Sequence, residues 1–196
     1  MKRSASKPAL DLGRRSAALA LCAAALLLLP AIGKSDPVVS ERQLKAALIL
    51  RLIDFVEWPP RAIPRAGFPL CVVGDEPLAS ALQQAAATQP NSRTPLQVSH
   101  HPGLKGLEPC RLIVFGQYDE RHIRSFLGEG TRTPVLTVGE TDDFLKDGGI
   151  VRLRVDRGHV RIELGLAAAS TAGLRISSRL ARLANHTEDR KGVHGQ

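Results

Sequence analysis

The sequence predicts a single α/β domain with a mainly parallel, Rossmann-like sheet, helices on both faces and a C-terminal β-hairpin. Three observations carry that expectation. Short apolar runs such as Leu70-Cys71-Val72-Val73 alternate with segments of helical period, as in βαβ units. These runs are continuously apolar, as strands buried on both sides require. Near the C-terminus the rhythm changes to strict alternation of apolar and polar residues, which marks an antiparallel pair with one wet face.

The elements follow in chain order. Between Ser40 and Val56, residues Leu44, Leu48, Leu52, Phe55 and Val56 recur at helical spacing, and Ser40 with Gln43 makes a capping-box pattern. Ala46, Ala47, Ile49, Leu50 and Ile53 widen the apolar face, so this helix should be largely buried. Arg51 interrupts that face and is expected to reach solvent or to pair with Asp54 or Glu57. Pro59-Pro60 cannot continue a helix, which leaves Trp58, the only tryptophan, at a forced helix exit. A ring there is either a lid on the core or an exposed anchor; the structural plug is the expectation, because large aromatics are usually well buried.

Residues 70–73 read as a strand, and Gly74-Asp75-Glu76-Pro77 as a turn and helix start with Asp75 as N-cap. That helix continues to Ala87 and stops at Pro90-Asn91-Ser92. A strand at 96–98, a buried strand at 110–115, a helix at 119–127 and a strand at 134–138 complete the alternating part. Residues 150–155 and 160–164 form the expected hairpin around Asp156-Arg157-Gly158, with its arginines on the solvated side. A last helix over 166–183 should bring Leu174, Leu180 and Leu183 to the core, and the polar residues 185–196 read as a disordered tail.

The N-terminus carries a compartment signal. Lys2, Arg3, Lys7, Arg14 and Arg15 precede an uncharged, Leu/Ala-rich run from Ala17 to Ile32, and Ala31 and Gly33 have the spacing of a signal-peptidase site. Residues 1–33 are therefore expected to be a cleaved signal peptide, 34–184 the folded domain and 185–196 the tail. An uncleaved anchor is the alternative, although the run is shorter than the ~20 residues that span a bilayer and ends in Pro30. A lipoprotein at Cys22 and a twin-arginine signal at Arg14-Arg15 are weaker readings. The segment holds five basic residues and one acidic one, so its removal lowers the net charge from +8 to +4. Much of the basic character thus belongs to the targeting segment, and no aromatic-interleaved basic patch points to nucleic acid. No insertion in the membrane is expected after cleavage.

The mature chain keeps two cysteines, Cys71 and Cys110. An even pair in an oxidising compartment reads as a disulfide; two buried free thiols are the alternative. No metal is expected from the spacing, because two isolated cysteines without a CxxC or a nearby paired histidine do not make a four-ligand zinc set. His100-His101 are adjacent, point to opposite faces of a strand, and read as surface residues. Nothing matches GxGxxG, GxxxxGK[ST], HExxH or GxSxG. Asp142-Asp143 before Phe144 fits a helix start better than a catalytic carboxylate pair. The residues nominate no enzyme and no cofactor.

Several segments together resemble the family of periplasmic regulators typified by YfiR. They are Gln43-Leu44-Lys45-Ala46-Ala47, Phe55-Val56-Glu57-Trp58-Pro59, Leu70-Cys71-Val72-Val73-Gly74, Cys110-Arg111-Leu112-Ile113-Val114-Phe115, Phe144 with Gly148-Gly149, and residues 174–180. Each is weak alone; their shared order behind a signal peptide makes the resemblance specific. It implies a non-enzymatic, homodimeric periplasmic protein that binds the periplasmic domain of an inner-membrane diguanylate cyclase and represses it, lowering cyclic-di-GMP and biofilm formation. It also implies a Cys71–Cys110 disulfide whose state makes fold stability redox-sensitive. By position, Phe144, Glu163 and Ile176 become candidates for partner contact or for shaping the interface. Glu163 could pair with Arg161 or with a partner's base, and Arg175 is a candidate contact for a small anionic ligand. A periplasmic small-ligand-binding module without a cyclase partner is the alternative function, its site expected at the carboxyl ends of the parallel strands.

Overall fold

The computed structural model describes residues 40–189 apart from 61, 89–93, 117, 131–132 and 157–158. The expected signal segment, the 90–92 stop, the Arg157-Gly158 turn and residues 190–196 lie outside the described residues.

The chain opens with α1 (Glu41–Ile53), capped as the sequence predicts: Gln43 N–H donates to Ser40 Oγ, and Ser40 N–H donates back to Gln43 Oε1. The helix ends earlier than its apolar period. Val56 and Glu57 leave it to form a two-residue strand, β1 (Val56–Glu57), which pairs antiparallel with β8 (Arg175–Ile176). Helical spacing misassigned Val56 because a short buried strand needs the same apolar residue, and its partner lies more than a hundred residues away.

Six further strands form the main sheet: β2 (Phe68–Val73), β3 (Leu96–His101), β4 (Leu112–Phe115), β5 (Leu136–Gly139), β6 (Val151–Asp156) and β7 (His159–Leu164). Their spatial order is β3-β2-β4-β5-β6-β7. All neighbours are parallel except β6 and β7, the expected hairpin. This is the predicted α/β architecture. Helix α2 (Glu76–Ala87) follows β2, with Asp75 accepting from Leu78 N–H at its start, and α3 (Glu120–Glu129) follows β4 with Asp119 as N-cap.

Strand residues alternate between two cores. Leu70, Val72, Leu112, Val114, Leu136 and Val138 face α1 and α2 in an aliphatic cluster that also takes in Leu78, Leu82 and Leu180. Cys71, Val73, Ile113 and Phe115 face the other way, onto Ile123 of α3, Leu107, Cys110 and Phe144. Helices therefore cover both faces, as expected.

Two expectations fail near the C-terminus. The helix predicted over 166–183 is three elements: α4 (Leu166–Thr171), β8 and α5 (Ser178–Asp189). Gly173 (φ 71°) ends α4 in the left-handed conformation that glycine adopts without a Cβ clash, and Leu180 N–H then donates to Ser177 Oγ as the chain re-enters a helix. Leu174 and Leu180 reach the core, but Leu183 is 54% exposed. α5 also continues to Asp189, past the expected domain boundary at 184. The second failure is at 142–148, a run of turns with no α-helix. There the acids serve turns and ion pairs instead of a helix end: Asp143 pairs with Lys146 and Asp147 with Arg124.

Candidate functional site

The disulfide is present: Cys71 at the middle of β2 is bonded to Cys110, just ahead of β4, with the two Cα atoms 6.0 Å apart. β2 and β4 are hydrogen-bonded neighbours, so the bond ties the loop between β3 and β4 onto the sheet. Both residues are buried. Arg111, next in sequence, fastens the loop before β2 by donating from its Nε to the Ala62 carbonyl, and from Nη1 to the Cys110 carbonyl at 3.0 Å. Beside this bond lies a cleft of about 500 Å3, lined by Pro64, Cys71, Gln97, Ser99, His101 and Arg111 among others.

Phe144 is fully buried in the same layer, its ring 5.9 Å from that of Phe115. A Cβ on either Gly139 or Gly149 would overlap the Phe144 ring, so these two glycines make the slot that receives it. The turn is held further by Thr137, a buried hydroxyl that accepts from Ile150 N–H at 3.0 Å. Phe144 thus reaches no surface; any influence on a partner passes through packing.

Glu163 and the hairpin arginines form the principal charged cluster. Glu163 pairs with Arg152, its direct cross-strand neighbour, and not with Arg161. Arg161 stands opposite Arg154, a like-charge juxtaposition that Asp142 relieves by reaching Arg154 at 3.3 Å. Arg152 also reaches Asp142 and is only 14% exposed, so the solvated face predicted for the hairpin is half-buried at this point. Alternation could not reveal this, because the covering residue Asp142 comes from the turn ten residues upstream, outside the strand pair. A hydrogen bond from Lys146, reinforced by its charge, holds the Asp143 carboxyl below its ordinary value.

The third group sits on the small sheet. Ile176 is half-buried against the aliphatic core opposite Val56, and Arg175 is 83% exposed and pairs with Glu57 at 2.6 Å. Arg51 pairs loosely with Asp54, one of the two expected partners. Trp58 is half-buried and packs edge-on against Phe68 with ring centroids 5.2 Å apart. It is a plug beside β1 and not at the helix exit itself. Its indole N–H is buried with no hydrogen-bond partner among the described residues.

A family model described as YfiR/HmsC-like matches residues 42–185. The chain belongs to that family. The matched span begins inside α1 and ends within α5, so it takes in both cores, the disulfide, the hairpin and the small sheet. YfiR-like proteins are periplasmic regulators, not enzymes. A search of curated proteins finds no match to this chain. No helix among the described residues is long and apolar enough to cross a membrane.

Sequence reasoning singled out Phe144, Glu163, Ile176 and Arg175, and the fold distributes them over three places. Phe144 is internal, Glu163 lies on the hairpin, and Ile176 and Arg175 lie on the small sheet. Arg175 is not among the residues lining the cleft beside the disulfide. Arg152 and His101 were missed as site residues. The only available signal was alternation, which places Arg152 on Glu163's face and His101 on the same face of β3 as Ser99.

Proposed function

We propose that the protein is a periplasmic repressor that binds the periplasmic domain of an inner-membrane diguanylate cyclase and holds it inactive. Membership of the YfiR/HmsC-like family over residues 42–185 carries this reading. The basic, apolar N-terminal segment supports export, with cleavage near Gly33. Repression is an equilibrium between bound and free cyclase, so loss of the folded protein releases enzyme, raises cyclic-di-GMP and favours biofilm.

The contact surface in this reading combines the Glu163–Arg152 hairpin with the neighbouring Arg154 and Asp142. Charge pairs at such a surface set orientation and partner choice more than affinity. Phe144, two residues from Asp142, shapes that surface from beneath, Ile176 stands apart on the small sheet as a second candidate contact, and in this reading the protein acts as a homodimer without catalysing a reaction. The disulfide makes the repressing fold dependent on envelope redox state, because the bond closes a loop of 39 residues in the unfolded chain.

Deleting this chain should raise cellular cyclic-di-GMP when the cognate cyclase is present and leave it unchanged when the cyclase is absent. An unchanged level in both backgrounds would overturn the proposal. A second reading, a small-ligand-binding module, is favoured only by the cleft of about 500 Å3 beside the disulfide. It predicts a rise in melting temperature with some envelope metabolite, and a flat response across a broad panel removes it.

A further inference from the structure

The parallel register of β2 and β3 sets Cys71 beside Ser99 and Val73 beside His101. Because strand side chains alternate, Ser99 and His101 share the face that carries the disulfide. One ligand atom each from Cys71, Cys110 and His101 lie within 4.8 Å of one another. Ser99 Oγ is at the same point, 3.5 Å from the Cys71 sulfur and 3.0 Å from His101 Nε2. Donor atoms around a tetrahedral zinc ion are about 3.5–3.8 Å apart, given bonds of ~2.3 Å to sulfur and ~2.0 Å to nitrogen. Two sulfurs, an imidazole and an oxygen are thus gathered in one corner, and the two sulfurs, bonded to each other here, have only to part to take up that spacing. Cys110 is fully buried, Cys71 and His101 line the cleft of about 500 Å3, and water or an ion can enter along it.

We propose that reduction of the Cys71–Cys110 bond converts this corner into a binding site for Zn2+. A dithiol reductant supplies the two electrons. One of its thiolates attacks a protein sulfur, its second thiol resolves the mixed disulfide, and Cys71 and Cys110 are left as thiols while the reductant becomes the disulfide. Zn2+ then displaces the two thiol protons and takes both thiolates with the neutral His101 imidazole; Ser99 Oγ or a cleft water fills the fourth position. Thiolate and imidazole donors favour zinc over the hard cations Mg2+ and Ca2+. His101 is nine residues from Cys110 and thirty from Cys71, with no CxxC, so only the folded register assembles the set. The site gives the reduced protein a way to stay folded, since a metal clip closes the loop that the disulfide closed.

The test uses mature protein reduced with a phosphine under argon and titrated with Co2+ as a spectroscopic stand-in, then with Zn2+. The expected result is one equivalent of Co2+ taken up with release of two protons and thiolate charge-transfer absorption, a band that is lost when Zn2+ displaces the Co2+. The disulfide form and the Cys71→Ala/Cys110→Ala variant should show no such band. His101→Ala should bind at least about tenfold more weakly, since even residues that merely support a ligand cost ~10–100-fold. Zn2+ should also raise the urea midpoint of the reduced wild type, and by less that of His101→Ala, which separates binding to the fold from scavenging by an unfolded chain. Uptake no tighter than the double-cysteine variant, equal affinity in His101→Ala, or binding with no rise in the midpoint would each overturn the site.

Discussion

The two faces of the six-stranded sheet are closed by different means. On one, α1 and α2 lay Ala46, Ile49, Leu78 and Leu82 onto Leu and Val side chains of the strands, and packing is mainly aliphatic, with aromatic rings only at Phe68, Trp58 and Phe55. On the other, a single helix, the loop after β3 and the 142–148 turns form the cover, and the layer contains the disulfide, Phe115, Phe126 and Phe144. A helix carries its own backbone hydrogen bonds and presents a ready apolar stripe, whereas a loop must be fixed by side chains and covalent links. The disulfide and the phenylalanine slot therefore stand where regular structure is thinnest. A change in thiol–disulfide balance would act on this second face, which holds the Cys71–Cys110 bond.

The largest effect should come from that face. Cys71→Ala/Cys110→Ala should lose about 4 kcal/mol of unfolding free energy by the loop-closure estimate, read as a lower urea midpoint. Phe144→Ala should cost about 3–5 kcal/mol, as for a fully buried aromatic. Combining it with the cysteine pair should depart from additivity by about 0.5 kcal/mol or more, because both belong to one cluster. Leu82→Ala, on the helical face, should cost about 2–5 kcal/mol but add to the cysteine change within ~0.5 kcal/mol. Strict additivity of Phe144→Ala, or strong coupling of Leu82→Ala, would erase the distinction between the faces.

How far the sequence showed this is uneven, for physical reasons. Continuous apolar runs and N-caps at Ser40, Asp75 and Asp119 act locally, and those elements appear where they were expected. What failed depends on strand pairing and turn geometry that apolar periodicity does not carry. Val56 joins Arg175–Ile176 in a two-residue strand, Gly173 breaks a run that reads as one helix, and Arg152 is covered by Asp142 from another turn. The disulfide was legible from the count of cysteines, but His101 beside it was not, since its neighbours arise from strand register.

Smaller effects probe the edges of the comparison. Trp58→Ala should cost less than Phe144→Ala, about 2–3 kcal/mol, because the indole is only half-buried and meets Phe68 edge-on. Arg175→Ala should change stability by less than about 0.5 kcal/mol, since its pair with Glu57 is exposed. Acid should act most weakly. Hydrogen bonds from Arg121 and Lys146 lower the Asp119 and Asp143 carboxyls below 3.8, so their contribution is present above that pH and fades as pH falls through the lowered values. A melting temperature followed from pH 6 to pH 2 checks the sign.

The claim that the disulfide-bearing fold is the form that holds a cyclase is tested most directly by affinity capture from envelope extract, with the mature protein immobilised in its disulfide form and as Cys71→Ala/Cys110→Ala. The account predicts that the disulfide form retains a membrane protein with a cytoplasmic diguanylate cyclase domain and that the variant retains much less. Capture of no such protein by the disulfide form, or equal capture by both, would contradict it.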